Sequence, residues 1–448
     1  MFRRKAYDKL LSWKKESNGT TAILVEGARR IGKSTVVEYF AQKEYKDYIL
    51  IDFSTAEKEV LDNFENINNL DTFFRNLFIL KEKSLEEKES VIIFDEVQFF
   101  PKARQSIKQL VKDGRFDYIE TGSLISINKN VKDILIPSEE ESFEMFPMDF
   151  EEFLWANNND FYIDVIKEAF ENKKPLGNQI HKKILQVFRT YMAVGGMPQA
   201  VEAYVNGKDY ASIDKVKQNI LRLYTRDLEK YDSDENEKAS VIFKSIPEQL
   251  SNHNSIFRMA TVDENARLRS YISAIRFLEE SMMINLCRNI TKPEVDLEMY
   301  AESTKFKMFM GDTGLLISYI LQTGNENLNK MYRSLILDDL EMNEGMIFEN
   351  MVAQMLRAKN YKLYFHEFKY CPKENSTEKN YEMDFLIVKG KRLVPIEVKS
   401  SGYKNHKSFD YFKEKYQLKL NDRYIVYTKD LAYEDEILYL PIYMTILL

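Results

Sequence analysis

Cysteine and histidine are scarce in this chain, and their scarcity removes whole classes of chemistry. The two cysteines, Cys287 and Cys371, lie far apart and have neither a metal-ligand nor a redox spacing. The expectation is two free thiols in a reducing cytoplasm. Four scattered histidines argue against a histidine-based zinc site. Glycine and proline number only 15 and 10, too few for long disordered segments. Long apolar runs are missing as well. The uncharged stretch 313–325 is too short to span a bilayer, and no apolar segment follows the basic start Met1-Phe2-Arg3-Arg4-Lys5. A soluble, cytoplasmic protein with no membrane partner is expected. Net charge is −7, so a nucleic-acid surface has to be a local basic patch rather than a global field.

What is present is ordinary globular material. The 448 residues are 44% apolar and 30% charged, which allows about three domains, each with its own core. The most informative stretch is Gly27-Ala28-Arg29-Arg30-Ile31-Gly32-Lys33-Ser34, a complete G-x-x-x-x-G-K-[ST] phosphate-binding loop, followed by Thr35. Residues 22–26 read as a short buried strand and 34–43 as an amphipathic helix, so the loop joins strand to helix as its mechanism requires. Glycines let the backbone wrap around phosphates, while successive N–H groups and the helix N-terminus attract their charge. Residues 27–35 would cradle ATP, Lys33 would reach its β- and γ-phosphates, and Ser34 would ligate Mg²⁺.

The apolar run Val91-Ile92-Ile93-Phe94 reads as a strand buried on both faces, and it ends in Asp95-Glu96. Ligands of parallel sheets gather at the carboxyl ends of strands. Asp95 is therefore expected in the Mg²⁺ shell and Glu96 as the group that polarises the attacking water. In Tyr118-Ile119-Glu120-Thr121-Gly122-Ser123 one hydroxyl, Ser123 in preference to Thr121, would sense the γ-phosphate.

Residues 1–155 alternate strand and helix, which predicts an α/β core around a parallel sheet, with further strands at 50–53 and 142–148. Residues 156–235 read as a helical lid, broken at Gly195-Gly196-Met197-Pro198 and closed by an acidic linker over 232–237. Residues 236–330 read as a winged helix-turn-helix with a helix over 265–281 and wing strands at 282–286 and 306–310. Arg269, Ser273 and Arg276 fall at i, i+4 and i+7, the face that a DNA groove would meet; a merely solvated face is the alternative.

Residues 331–448 read as a new α/β unit: helices over 345–359 and 408–416, and strands over 363–368, 381–388, 392–399 and 424–427. Glu349, Asp384 and Glu397-Val398-Lys399 converge in this pattern. Residues i and i+2 of a strand share a face, so Glu397 and Lys399 point the same way. A carboxylate pair beside a lysine suits metal-assisted phosphodiester hydrolysis. Asp384 and Glu397 would bind Mg²⁺, and Lys399 would orient or deprotonate the nucleophilic water. Charges at a protective strand edge are the competing explanation, but the apolar flanks favour a buried strand, where acids need a reason to be.

With these motifs the chain resembles, over nearly its whole length, the prokaryotic AAA-type ATPases of the archaeal-ATPase and signalling-ATPase branch that carry a C-terminal restriction-endonuclease-like domain. The resemblance rests on 27–34, 92–98, 121–123, the run Phe146-Pro147-Met148-Asp149-Phe150-Glu151-Glu152-Phe153-Leu154, 195–198, Gly311-Asp312-Thr313-Gly314-Leu315-Leu316 and Asp384…Glu397-x-Lys399. It implies that Gly196-Met197-Pro198 is a Gly-x-Pro element closing on the nucleotide, with Pro198 near the base. The terminal pattern resembles the PD-(D/E)xK nuclease motif, with Met383 where proline would precede the first acid. The implied activity is a Mg²⁺-dependent ATPase acting on DNA. A nucleotide-driven switch, whose terminal domain binds a protein partner without catalysis, is the alternative. Many AAA-type ATPases form rings with an arginine supplied by the neighbour. In a homo-oligomer of this chain Arg226 is the candidate, set against an ordinary helix-surface charge.

Overall fold

Strand β1 (Ala22–Glu26) is apolar and buried from Ala22 to Val25, so it needs a neighbour on each side and cover on both faces. The computed structural model describes the chain except residues 124–137, 233–236, 252–255, 263–266, 322–326, 338–343, 372–376, 401, 403–405 and 419–422. In it β1, β2 (Asp47–Asp52), β3 (Ser90–Asp95), β4 (Asp117–Gly122) and β5 (Glu140–Glu144) form an all-parallel sheet in the order β2-β3-β4-β1-β5. The strand expected over 142–148 runs instead over Glu140–Glu144, and Pro147 lies beyond it. Because β4 sits between β1 and β3, its carboxyl end comes between the phosphate loop and the acid pair. Phe64 locks one face of this sheet, meeting the rings of Phe53, Phe73 and Phe94 edge-on at centroid distances of 5.9, 5.2 and 5.9 Å.

The chain divides into two compact units, Met1–Phe146 with Glu280–Met282, and Pro147–Glu279 with Met283–Leu448. The second begins with the helical segment and carries its own sheet. Its strands are β6 (Ile284–Ile290), β7 (Ala301–Met310), β8 (Leu363–Tyr370), β9 (Lys379–Lys389), β10 (Arg392–Val398), β11 (Tyr424–Tyr427), β12 (Ala432–Glu434) and β13 (Ile437–Pro441). Among the described residues they make one mixed sheet in the order β12-β13-β11-β10-β9-β8-β6-β7.

This topology corrects two expectations. The strands expected as a wing exist, as the antiparallel pair β6–β7, but β6 also pairs in parallel with β8. The boundary expected between 330 and 331 therefore does not separate two sheets. The helix expected over 265–281 runs over Ile272–Glu280, after a 3₁₀ turn at Leu268–Ser270. Arg269, Ser273 and Arg276 are all exposed, but Arg269 is on the turn and the three do not share one helix face. Most of the acidic linker, 233–236, lies outside the described residues.

Three sequence motifs of the second unit meet in one buried knot. Asp312, 2% exposed, caps helix Thr313–Ile320 by accepting the Leu315 N–H at 2.9 Å, and its other oxygen accepts the Gly196 N–H at 2.7 Å. The Gly196 carbonyl in turn accepts the Met148 N–H at 2.7 Å. Just after Met148, Asp149 and Glu152 form a reciprocal capping box that starts helix Phe150–Ala156. The same knot fixes helix Glu344–Ala358. Gln354 accepts from the N–H and hydroxyl of Thr313 at 2.7 and 2.9 Å, while Asn350 exchanges hydrogen bonds with both backbone groups of Met310. Nearby, Lys217 is fully buried and donates to the Ala193 carbonyl at 2.7 Å and the Tyr332 hydroxyl at 2.9 Å. Burial lowers its pKa to about 8, opposed by Asp214 and Asp312.

Among the described residues, no helix is long and apolar enough to cross a membrane.

The knot leaves no room for a methyl group. A Cβ on Gly196 would stand 2.2 Å from the Met148 carbonyl oxygen, and one on Gly314 would stand 2.4 Å from the Gly195 Cα. Gly314→Ala is expected to destabilise the protein by roughly 1–3 kcal/mol, since backbone rather than a flexible side chain has to move. Chemical denaturation would measure it. Gly390→Asn, at an open turn position with φ of +61°, is expected to change stability by only a few tenths of a kcal/mol. Equal effects would show that the close packing is not what the glycine is for.

Candidate functional site

Two separate clusters of polar side chains stand out, one in each unit. In the first unit the phosphate loop runs from β1 into helix Lys33–Glu44. Arg4 clamps it, donating from its two terminal nitrogens to the carbonyls of Ile31 at 2.8 Å and Phe146 at 2.7 Å. Lys33 is 5% exposed, and its ammonium donates to the Gly27 and Ala28 carbonyls at 2.9 and 3.0 Å. Burial lowers its pKa, against the pull of Glu96 and Asp95. Ser34 donates to Asp95 Oδ1 at 2.8 Å, and the Thr121 hydroxyl donates to the same oxygen. Thr121 Oγ1 also accepts the Glu96 N–H at 3.2 Å, so this hydroxyl ties the two acids together.

Burial raises the pKa of Asp95, and these two hydroxyls hold it down. Glu96 sits at φ of +54°, a left-handed conformation that costs a non-glycine residue about 1–2 kcal/mol. Gln98 donates to the Glu96 carboxylate and lies 3.5 Å from Ser123 Oγ. The sequence-predicted Lys33, Ser34, Asp95 and Glu96 are thus brought together, and Thr121 stands closer to the acids' chemistry than Ser123 does. Asp95 and Ser34 offer adjacent hard oxygen ligands, which fits Mg²⁺. Bound there, the ion would neutralise charge on the β- and γ-phosphates. Ala28 and Ile31 are buried in the loop, Arg30 and Thr35 are exposed, and Arg29 is half-buried. Pro198 is the first residue of helix Pro198–Val205, in the second unit.

A buried acid cluster lies along the same sheet. Arg104 holds Glu140 with two hydrogen bonds of 2.6 and 2.9 Å, and the Glu120 carboxyl is fully buried nearby. Glu26 ends β1, immediately before the loop. Burial pushes its carboxyl up to about 7, against the pull of Arg104.

In the second unit the predicted acids gather on β9 and β10. Asp384 is half-buried and its Oδ2 accepts the Val398 N–H at 2.7 Å, one step beyond the last backbone pair, Ile396 with Phe385. Glu397 is 2% exposed. One of its oxygens pairs with Lys399 Nζ at 2.6 Å, and the other, Oε2, has no hydrogen-bond partner among the described residues. Burial pushes Glu397 up to about 7, opposed by Lys399 and reinforced by Asp384. Burial raises Asp384 also, with Glu349 of helix Glu344–Ala358 the next cause.

Lys307 of β7 is the member with no local sequence signal. It is 1% exposed, and its Nζ stands 2.5 Å from Glu382 and 3.5 Å from Glu349. Among the described residues no three His, Cys, Asp or Glu side chains group closely enough to cage a metal. Mg²⁺ does not need such a cage, being held through one or two carboxylates with water completing its shell. The pair Asp384–Glu397, with its orphaned buried oxygen, fits it. Arg226 is exposed on helix Tyr210–Asp232.

Thr121→Val removes a donor from Asp95 and leaves burial to raise that carboxyl further. Mg·ATP affinity is expected to fall about fivefold, the worth of ~1 kcal/mol, and to fall more at pH 6 than at pH 8. Titration calorimetry at both pH values would check this, and an equal loss at both would contradict it. For Glu26 the sign is also fixed. Its pKa is higher in the folded chain than in the unfolded one, so its contribution to stability falls as pH rises from the ordinary carboxylate range through about 7. Glu26→Gln is expected to raise the melting temperature at pH 8 and to leave it unchanged at pH 4.

Residues 19–154 match the model of an AAA domain, 185–327 that of a domain of unknown function, DUF8612, and 344–444 that of another, DUF4143. The last two meet in one sheet, since β6 and β7 fall in one match and β8–β13 in the other. Among solved structures, the chain is similar to a Walker-type ATPase of Pyrococcus abyssi at 14% identity and a TM-score of 0.42, over 72% of this chain and 96% of that one. It is similar to Cdc6p of Pyrobaculum aerophilum at 12% identity and a TM-score of 0.24, over 75% and 94%. These likenesses are too low to carry an argument. No curated protein matches the chain. The AAA match falls on the sheet that bears the phosphate loop, Asp95 and Glu96, and this part of the chain is an ATP-binding P-loop AAA ATPase domain.

Proposed function

We propose that the chain is a Mg²⁺-dependent ATPase whose nucleotide state governs a DNA-acting, nuclease-like site in its C-terminal region. The observation that carries the second half is the meeting of Asp384, Glu397 and Lys399 where the β9–β10 pairing ends, with Glu397 Oε2 buried and unpartnered among the described residues. A buried carboxylate oxygen left without a donor costs several kcal/mol unless something positive arrives to meet it. In the ATPase half, Lys33 binds phosphate oxygens, Glu96 polarises the attacking water, and Thr121 holds Glu96 and Asp95 in register. Ser123 is assigned to the γ-phosphate and Pro198 to the nucleotide base.

In the nuclease-like half, Asp384 and Glu397 would hold Mg²⁺, which when bound supplies charge to the scissile phosphate. Lys399, paired with Glu397, is placed to orient the nucleophilic water or to take its proton. DNA is the proposed substrate because the resemblance to the PD-(D/E)xK pattern runs through these residues. For the region 236–330 the winged-helix reading now rests on the exposed Ser273 and Arg276 alone.

One observation favours a second reading. Both lysines near the site already sit in ion pairs, Lys399 with Glu397 and Lys307 with Glu382. On that reading the C-terminal site is a non-catalytic binding module, and the output of the nucleotide cycle is a protein partner.

Lys33→Ala is expected to abolish ATP turnover and weaken ATP binding, and Glu96→Gln to bind ATP while losing roughly 10²–10⁴ of the hydrolysis rate. Asp384→Ala is expected to keep the wild-type ATPase rate and to lose Mg²⁺-dependent cleavage of plasmid or single-stranded DNA. Wild-type protein that neither cuts nor retards DNA at low salt, where phosphate contacts are strongest, would end the DNA reading. Tightly retained ADP in that same preparation would then support the switch.

A further inference from the structure

Lys307 is an unusual residue to find where it is. It comes from β7, the edge of the sheet, and its β-strand partner on β6 is Cys287, a fully buried thiol. Its ammonium lies 5.3 Å from the centre of the Phe365 ring on β8 and reaches Glu382 on β9. Glu349 approaches it from helix Glu344–Ala358, which Asn350, the very next residue, fastens to the end of β7 at Met310. Three elements that are distant in sequence thus converge on one nitrogen. A lysine with 1% exposure is too deep to touch a substrate, and a charge buried this far persists only if it is paired. Glu349, Glu382 and Asp384 all act to keep it charged against the cost of burial.

The charge count explains why a lysine belongs there. Glu349, Glu382, Asp384 and Glu397 are four carboxylates, and Lys307 and Lys399 are two ammonium groups. With all four carboxylates ionised, as a bound cation would hold them, two negative charges remain, which one divalent cation neutralises. Glu397 Oε2 is the buried carboxylate oxygen of this cluster without a hydrogen-bond partner among the described residues, and Asp384 is the acid that acts on Glu397.

We propose that Lys307 is the resident cation of this acid cluster: its ammonium fills the place beside Glu382 and Glu349 that a second divalent cation would otherwise take, so that the site binds one metal ion, between Asp384 and Glu397. The inference rests on the metal-binding reading of Asp384 and Glu397 given above. Lys307 is a positioning residue. It sets how many ions the site takes and how tightly, and it fixes the Glu349 and Glu382 side chains.

The test is Mn²⁺ titration of the full chain without nucleotide, read by electron paramagnetic resonance of the free ion and by calorimetry. Only ions whose binding is lost in Asp384→Ala, or in Glu349→Gln with Glu382→Gln, are counted. Wild type is expected to bind one such ion. Lys307→Met keeps the length of the side chain and removes its charge, and is expected to bind two, or to bind one at least tenfold more tightly. Lys307→Arg, and the double variant Lys307→Met with Glu382→Gln, restore the balance of charge and are expected to return to one ion of wild-type affinity.

Two such ions in the wild type would overturn the proposal, and so would Lys307→Met binding one ion within twofold of wild-type affinity. The wild-type count and the charge-balanced variants decide the matter even if Lys307→Met fails to fold. No Asp384-dependent ion in the wild type is a different failure, because it removes the metal site itself and with it the nuclease reading.

Discussion

The second unit depends on Asp312. A carboxylate this deeply buried survives only if donors surround it, and the donors it collects come from three places in the sequence: the Gly196 N–H, the Leu315 N–H and the Gln354 side chain. Each bond fastens a different element. Gly196 brings in the turn that follows helix Asn178–Val194, Leu315 starts helix Thr313–Ile320, and Gln354 belongs to the helix that carries Glu349. The glycines exist because the chains they join approach within contact distance of one another. Deleting the acid would leave the Gly196 and Leu315 N–H groups without their acceptor and would remove one of the ties on the helix that carries Glu349.

The same rule, that a charge removed from water must be met, organises both candidate sites. At the phosphate loop, Lys33 is met by carbonyls and by Asp95 and Glu96, and Asp95 is met by two hydroxyls. At the second site Lys307 is met by Glu382 and Glu349, and Glu397 is met on one side only. The difference matters. Asp95 and Glu96 sit at the carboxyl end of β3, where a nucleotide and its ion would complete them. The second cluster supplies half of its own counter-charge and leaves one gap.

The ATPase core was legible because its signals are local. A phosphate loop, a strand-ending acid pair and continuous apolar runs each declare themselves within ten residues, and β1, β3 and β4 lie where the apolar runs put them. The acids of β9 and β10 were legible for the same reason, as an alternating strand and an i, i+2 pair. Long-range pairing was not. Phe306-Lys307-Met308-Phe309-Met310 announces a strand, yet nothing in it says that the strand completes the terminal sheet or that its lysine meets an acid 75 residues away. The helix over 265–281 failed in part because Leu268–Ser270 takes a tighter 3₁₀ turn, which apolar spacing does not reveal. Nor does the local sequence say that the Thr121 hydroxyl meets Asp95. That depends on β4 lying between β1 and β3, which is a property of the whole sheet.

The central claim is that this chain carries two distinct metal-dependent centres, one at the nucleotide and one at Asp384 and Glu397. Anomalous scattering from crystals of the full chain, grown with Mn²⁺ and a non-hydrolysable ATP analogue, addresses it most directly. The account predicts one peak beside Ser34 and Asp95 at the nucleotide phosphates and a single second peak between Asp384 and Glu397. Ordered side chains at Asp384 and Glu397 with no peak between them at saturating Mn²⁺ would contradict it.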